Sequence, residues 1–323
     1  MASYLEHYAA NLPRTIYLYV TDHCNSNCVY CVFRMSNAKL KRSEMSLSFI
    51  QDVWRQSFIL KGGIRLDIPA PKIVVQGGEF TIHPEAVEIV RFFHDEGLTA
   101  ILLTNSVDLD LVRPVAEWVD DITISYDGPA HDVSRGVKGN KTSIHAMLAE
   151  LTGSGKHLTL QMTLGPWNLN LEAIEHTLDL AARTGCQLRF NVASSQGLLG
   201  QGSYVIKEAQ LIDVAHFLEG ANSSCLSIEN VRYVTKVAEN SLPHHCFSTS
   251  FYSTIMANGD VLLCQGLDYT EAITGNLHQS GFDAIWIMAQ SKRAQYSHCR
   301  ACTLSCQLMG DFNLIEEVKE LHG

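Results

Sequence analysis

Short apolar runs alternate with helical patterns along the first two thirds of the chain. Runs rich in β-branched and aliphatic residues predict buried strands. These strands lie at 15–20, 72–76, 99–104, 121–126, 158–163 and 187–192. Between them, apolar residues recur at helical spacing. The helices so predicted lie at 46–60, 84–96, 108–118, 141–153 and 170–184. This alternation indicates a parallel sheet, and six strand–helix units form a partial barrel because a closed one needs eight.

The pattern changes after Val192. Residues 193–204 are rich in Gly and Ser and predict a loop, which a helix at 207–219 follows. Two short strands, "YSTIMA" and "VLLC", flank a predicted turn at 258–260. Further helices are predicted near 281–290 and 311–321.

We therefore predict three segments in an α/β chain. Residues 12–195 form the barrel, 196–235 connect, and 236–323 form a small C-terminal domain. The last segment has too little apolar sequence for a core of its own, so bound metal would supply the missing stability.

The amino-acid composition limits which classes of binding partner are expected. The 323 residues carry a formal net charge of −10 at pH 7, so nucleic acid is not an expected partner. The N-terminus has no basic start followed by an apolar stretch, and no apolar run approaches the ~18 residues of a membrane span. We expect a cytoplasmic protein that does not bind membranes. In that compartment, ten cysteines indicate metal or redox chemistry rather than disulfides.

Most of the cysteines fall into two groups. Cys24, Cys28 and Cys31 follow the first strand with the spacing Cys-x3-Cys-x2-Cys. A 4Fe–4S cluster uses four thiolates when fully ligated, so three leave one iron open to an outside ligand. A zinc site or chance clustering is the alternative. The second group comprises Cys246, Cys264, Cys299, Cys302 and Cys306.

The stretch "QGGEF" (76–80) follows the second strand. Ligand sites in α/β proteins lie at the carboxyl ends of strands. Gly77 and Gly78 would let the backbone approach a ligand closely, and Glu79 offers a carboxylate to an ammonium group. A simple turn is the alternative.

Polar stretches also follow strands three and four. "TNS" (104–106) contains Asn105, "SYDGP" (125–129) contains Ser125 and Asp127, and "HDVSRG" (131–136) contains Arg135. Turn chemistry for Asp127 and a surface ion pair for Arg135 are the simpler interpretations.

Taken together, the cysteine motif with Tyr30 before its last cysteine and these strand-end stretches resemble the radical S-adenosylmethionine superfamily. The resemblance implies a partial (β/α)6 barrel whose open iron chelates the amino and carboxylate groups of S-adenosylmethionine. It implies that Ser125 contacts this cofactor and that Arg135 pairs with its carboxylate as a fork donor. The implied cofactor-binding residues are Tyr30, Gly77, Gly78, Glu79, Asn105, Ser125, Asp127 and Arg135.

The C-terminal cysteines resemble the SPASM/twitch extensions of the same superfamily. Gly259-x4-Cys264, "GNL" (275–277), "FDAIW" (282–286) and a later Cys-x2-Cys carry this resemblance. Five cysteines fit the shorter twitch form with one auxiliary 4Fe–4S cluster. Its implied ligands are Cys246, Cys264, Cys299 and Cys302, with Cys306 as a substitute for one of the pair. A structural zinc ribbon is the alternative.

The resemblance implies that S-adenosylmethionine is cleaved reductively to a 5′-deoxyadenosyl radical. The radical would take hydrogen from a C–H bond of a natural-product precursor, a ribosomal peptide or an amino sugar. A flavodoxin- or ferredoxin-type protein would donate the electron. Of the possible outcomes we favour epimerisation. Dehydrogenation or cross-linking, with the auxiliary cluster as electron acceptor, is the alternative. A non-enzymatic iron–sulfur or zinc regulator would explain the cysteines but not the strand-end stretches.

An epimerase needs a hydrogen donor, and elimination leaves Cys225 and Cys306. An iron-bound sulfur cannot easily donate hydrogen, and Cys186 begins a strand, at the end away from the cofactor. Cys225 is the better candidate because an auxiliary cluster can claim Cys306, and the alternative for Cys225 is a core thiol. Asp268 and Glu271 are candidate bases in the loop after Cys264.

Overall fold

Six parallel strands carry the sequence motifs at their carboxyl ends. A computed structural model describes residues 13–31, 43–59, 70–193, 205–241, 251–265 and 269–293. The strands in this part are β1 (Thr15–Thr21), β2 (Lys72–Gly77), β3 (Ala100–Thr104), β4 (Asp121–Ser125), β5 (His157–Leu164), β6 (Gln187–Val192), β7 (Tyr252–Ile255), β8 (Asp260–Leu262) and β9 (Ile273–Asn276). They form one sheet in the order β6-β5-β4-β3-β2-β1-β7-β8-β9. Strands β1 to β6 are parallel, as predicted.

Helices connect successive parallel strands. The α-helices of the described part are α1 (Leu47–Trp54), α2 (Ala86–Asp95), α3 (Leu109–Ala116), α4 (His131–Arg135), α5 (Asn140–Leu151), α6 (Leu171–Thr184), α7 (Glu208–Gly220), α8 (Ile228–Ala238), α9 (Tyr269–Ala272) and α10 (Phe282–Arg293). The predicted helices are confirmed within a few residues, except that 311–321 lies outside the described residues. Among the described residues, no helix combines the length and the apolar character that crossing a membrane requires.

Alternation along the strands gives the sheet two different faces. On β1, Ile16, Leu18 and Val20 are fully buried in the main core, as are the helix residues Trp54 and Phe93, whose rings lie 5.2 Å apart. Burial of such a side chain contributes about 1.5–3 kcal/mol. The opposite, inner face carries the polar and several partly exposed positions, and the described helices connecting β1 to β6 pack on the outer face.

The C-terminal strands continue this sheet. Strand β7 pairs in parallel with β1, with Tyr17 opposite Thr254, and β8 and β9 follow antiparallel. The predicted hairpin is confirmed, and Gly259 in its turn has a φ of +84°, which favours glycine. The boundaries proposed for the three segments stay a prediction.

Two helices occupy the segment predicted to be a connection. Helix α7 was predicted, whereas α8 was not. Asn230 of α8 accepts a hydrogen bond from the Phe190 N–H (2.7 Å) and donates one to its carbonyl (3.0 Å). The Tyr233 hydroxyl accepts the Val192 N–H at 2.9 Å. Because β6 ends the strand order, these side chains supply partners that an edge strand otherwise lacks.

Candidate cluster and cofactor site

The loop that carries the first three cysteines is anchored on two sides. The Gly78 N–H donates to the Thr21 carbonyl at 2.7 Å, and the Glu79 N–H donates to the His23 carbonyl at 2.8 Å. On the other side, the Asn27 N–H donates to the Arg135 carbonyl at 2.9 Å. The structure therefore brings the turn after β2 and helix α4 against the same loop.

Gly77 and Gly78 allow this contact. A Cβ on Gly77 would lie 2.3 Å from the Thr21 carbonyl oxygen, and one on Gly78 would lie 2.1 Å from that of His23. Both distances are far below van der Waals contact, so a side chain at either position would displace the backbone. The sequence suggested that these glycines admit a ligand. In the structure, they allow the cysteine loop to pack directly against the turn after β2. Their role toward the cofactor stays a prediction.

Glu79 is buried, with its carboxylate held by residues of two strand ends. One oxygen accepts from the Thr81 hydroxyl (2.8 Å) and the Thr104 hydroxyl (2.9 Å), and the other accepts the Asn105 N–H (2.7 Å). Burial raises the pKa of this carboxyl, and the donors oppose that rise. The hydrogen bonds fix the orientation of the carboxylate.

Asn105 links the end of β3 to the cysteine loop. Its Nδ2 lies 2.8 Å from Asn25 Oδ1, 2.9 Å from Ser26 Oγ and 3.7 Å from Cys24 Sγ. The motif after strand three is therefore positioned by the loop after strand one, although 81 residues separate Asn105 from Cys24.

Asp127 and Arg135 form a buried ion pair beneath the loop. Arg135 Nε donates to Asp127 Oδ2 at 2.9 Å, and Nη2 donates to Oδ1 at 3.1 Å. Burial alone would raise the pKa of the Asp127 carboxyl, but the guanidinium brings it below its usual value. The Arg135 fork, expected at the carboxylate of the cofactor, is thus engaged by Asp127, while its Nη1 lies 3.9 Å from Cys28 Sγ.

Three more groups complete this Asp127 network, which we define as Asp127, Arg135 and the donors around them. The Tyr30 and Ser134 hydroxyls each donate to Asp127 Oδ2 at 2.7 Å, and the Thr163 N–H donates to Oδ1 at 3.1 Å. Tyr30 also stacks on Trp167, with ring centroids 4.8 Å apart. Sequence reasoning missed Ser134, Thr163 and Trp167. Only the "HDVSRG" stretch signalled one of them.

His131 supports the network from helix α4. Its Nδ1 accepts the Asp127 N–H at 3.0 Å, and its Nε2 lies 2.9 Å from the Asn140 side-chain amide. Burial lowers the pKa of His131 to about 4, so the ring is neutral at physiological pH.

The cysteine loop fits an iron–sulfur cluster. The Ser26 N–H lies 3.3 Å from Cys24 Sγ, which adds to the Asn105 and Arg135 donors toward sulfur. Such donors stabilise cluster-bound thiolates. Burial raises the pKa of Cys24 to about 12 and also raises that of Cys28, so a bound cation is needed to favour the thiolate form. Within the described part, no three His, Cys, Asp or Glu side chains lie close enough to share a single metal ion.

The remaining candidates lie in different places. Ser125 ends β4 beside Gln161 and is 7% exposed. Cys264 is partly exposed after β8, and Glu271 is exposed in α9. Outside the described residues are Cys246, Asp268, Cys299, Cys302 and Cys306.

Cys225 lies away from this site. It is buried, and its carbonyl accepts the Leu188 N–H (2.7 Å) at the amino end of β6. Cys186 is its neighbour and is also buried, as predicted. Both side chains belong to the main hydrophobic core, and the Cys225 Sγ lies 2.9 Å from the Ser223 Oγ. The structure therefore gives Cys225 a position in the core, and its role as hydrogen donor stays a prediction.

These features match a known family. The model of the radical SAM superfamily matches residues 18–181, and that of the SPASM iron–sulfur cluster-binding domain matches 246–307. The chain therefore belongs to the radical SAM superfamily and carries a SPASM-type domain. Its cofactors are S-adenosylmethionine, the 4Fe–4S cluster that binds it and auxiliary iron–sulfur.

Individual relatives cover different parts of the chain. An AdoMet-dependent heme synthase of Methanosarcina barkeri is 29% identical over 185 residues, which are 54% of this chain and 49% of that protein. A PqqA peptide cyclase of Bradyrhizobium diazoefficiens is 24% identical over 298 residues, 87% of this chain and 74% of that protein. The chain thus spans about half the length of the heme synthase.

A solved structure shares the fold. Streptococcus suis SuiB bound to precursor peptide SuiA has a TM-score of 0.68 at 15% identity. The alignment covers 97% of this chain and 75% of SuiB.

Proposed function

We propose that this chain is a radical S-adenosylmethionine enzyme that modifies a C–H bond of a peptide precursor. The observation that carries the proposal is the anchoring of the Cys24–Cys31 loop by the ends of β2, β3 and β4 and by helix α4. A structural metal site needs no such convergence of polar groups from separate strand ends.

The residues at this end would have distinct tasks. Cys24, Cys28 and Cys31 would hold the cluster, and Glu79 and Ser125 would face the bound S-adenosylmethionine. When bound, these cofactors supply a carbon radical that takes a hydrogen atom from the substrate. Arg135 would act through Cys28, because its charge is held by Asp127 and directed at that sulfur.

A peptide is the substrate class we favour over an amino sugar. The support is the similarity over 87% of the chain to a protein named a PqqA peptide cyclase. The inner face of the sheet offers polar positions on neighbouring strands that suit an extended polar substrate.

Net oxidation is the outcome we favour over epimerisation. The substrate would lose one hydrogen atom to the radical, then one electron and one proton, and would form a double bond or a cross-link. The SPASM-type domain would hold the acceptor of that electron. Epimerisation needs a hydrogen donor instead. Outside the cysteine loop, the buried thiols of the described part are Cys186 and Cys225, and both pack in the main hydrophobic core rather than on the inner face.

The test uses anaerobic, reduced holoenzyme with S-adenosylmethionine and a precursor peptide encoded beside the gene, in deuterated water. We expect 5′-deoxyadenosine and a peptide two hydrogens lighter without deuterium at carbon. An unchanged mass plus one carbon-bound deuterium would indicate epimerisation with a donor outside the described residues. Failure to form 5′-deoxyadenosine under any condition would contradict the proposal.

A further inference from the structure

The inner face of β5 and β6 carries several polar side chains. On β6, Leu188, Phe190 and Val192 are buried in the main core, so Arg189 and Asn191 point to the inner face. Across the strand pair, Gln161 lies opposite Arg189, and Thr163 lies opposite Asn191. Gln161 in turn lies opposite Ser125, a candidate cofactor contact.

Arg189 has no acidic partner among the described residues. Asp121 is the acidic residue on the inner face of β1 to β6, and it lies four residues before Ser125 on β4. That spacing places it about 13 Å along the strand from the row of Arg189. A guanidinium can donate two parallel hydrogen bonds to a carboxylate, and a partly buried guanidinium without a carboxylate partner lacks this stabilisation.

A second observation points to a ligand. Asn191 Oδ1 is buried and accepts no hydrogen bond within the described part. Buried amide oxygens of native proteins have a donor with few exceptions, so a group from outside the described residues is expected there.

We propose that Arg189, Gln161 and Asn191 bind an acidic residue of the substrate peptide. Arg189 and the Gln161 amide donate to the side-chain carboxylate, and Asn191 Oδ1 accepts the backbone N–H of the same residue. The inference rests on the proposed function for its peptide, and it places the acidic residue in the register row of Ser125, beside the cofactor.

The test measures occupancy without turnover. Anaerobic holoenzyme is treated with phenylglyoxal, and labelling of Arg189 is followed by mass spectrometry in the presence of acetyl-Ala-Glu-Ala-amide or acetyl-Ala-Gln-Ala-amide. At a concentration about three times its Kd, the Glu peptide should slow labelling roughly fourfold, because only unoccupied sites react. The Gln peptide should protect far less. Arg183, on the outer helix α6 and paired with Asp179, is the reference arginine and should be unaffected.

Several results would overturn the site. Equal protection by both peptides, or by neither, contradicts carboxylate recognition. Protection only by Ala-Ala-Ala with a free C-terminus reassigns the site to a terminal carboxylate and contradicts an acidic side chain. In the Gln161→Leu variant, protection by the Glu peptide should fall severalfold, and undiminished protection would contradict the assignment. Because no step requires 5′-deoxyadenosine, these outcomes are separate from any failure of the proposed reaction.

Discussion

Two arginines at the carboxyl half of the barrel have opposite surroundings. Arg135 is buried and its fork is held by Asp127, whose carboxylate also accepts from Tyr30, Ser134 and Thr163. Arg189 is partly exposed on the inner face and has no ion pair among the described residues.

The difference assigns a structural role to Arg135 and a ligand-binding role to Arg189. A fully satisfied buried network fixes one geometry, and here it fixes the loop that carries Cys28. An unpaired guanidinium beside an unsatisfied amide contributes little to folding and is available to a ligand. Substitution of Arg135 is therefore expected to lower the stability of the fold, whereas substitution of Arg189 is expected to weaken ligand binding.

The largest effect is expected from Arg135→Gln. It leaves Asp127 buried with its charge uncompensated, which costs about 3–5 kcal/mol of unfolding free energy. Urea titration at pH 7 measures this loss, and the iron content should fall with it because the loop loses its anchor. Glu150→Gln, which breaks the exposed pair with Arg113, is the control and should leave the midpoint unchanged. Wild-type stability of Arg135→Gln would show that the network is not a structural unit.

Acid should weaken the network through His131. Its pKa is lowered from 6.5 to about 4 in the fold, so the unfolded chain binds the proton more readily as pH falls. Stability is therefore complete above pH 6.5 and is lost between about 6.5 and 4, by at most ~3 kcal/mol. Unfolding titrations of wild type and His131→Asn across this range test the sign. The variant should lose less stability on acidification. An equal loss would show that protonation of His131 does not cause the destabilisation.

Gly78→Ala tests the seating of the cysteine loop. The added Cβ would meet the His23 carbonyl oxygen at 2.1 Å, so the loop must shift. Overpacking of this kind costs about 1–3 kcal/mol. Iron analysis should show loss of the N-terminal cluster, and urea titration should show the destabilisation. Gly220→Ala is the matched control because nothing lies within 4 Å of its Cβ. Full iron in Gly78→Ala would contradict the close seating.

The strands and the site's location could be predicted from sequence because both depend on local pattern. Six apolar runs and the motifs after them place Glu79, Asn105 and Asp127 at one edge of a parallel sheet. Their partners could not be predicted, because Tyr30 and Thr163 reach Asp127 from 97 and 36 residues away. Only the packed structure shows that Asp127 holds the Arg135 guanidinium.

Helix α8 and the position of Cys225 escaped prediction for a related reason. Two of the buried positions of α8 are Asn230 and Thr235, which obscure its apolar stripe. Asn230 is buried because it hydrogen-bonds to the edge strand β6. Such a tertiary contact leaves no trace in the helical periodicity of the sequence. Because α8 was not predicted, the sequence did not indicate where the segment before it lies, and the position of Cys225 beside Leu188 could not be predicted.

The smallest effect is expected from Arg189→Gln, the same substitution at the other arginine. Because Arg189 has no ion pair in the described part to lose, the unfolding free energy should change by no more than about 0.5 kcal/mol. The variant should retain its iron, since no described contact links Arg189 to the cysteine loop. Urea titration and iron analysis beside Arg135→Gln make the comparison direct. A loss as large as that of Arg135→Gln would show that Arg189 has a structural partner beyond the described residues, and the two arginines would then belong to one class.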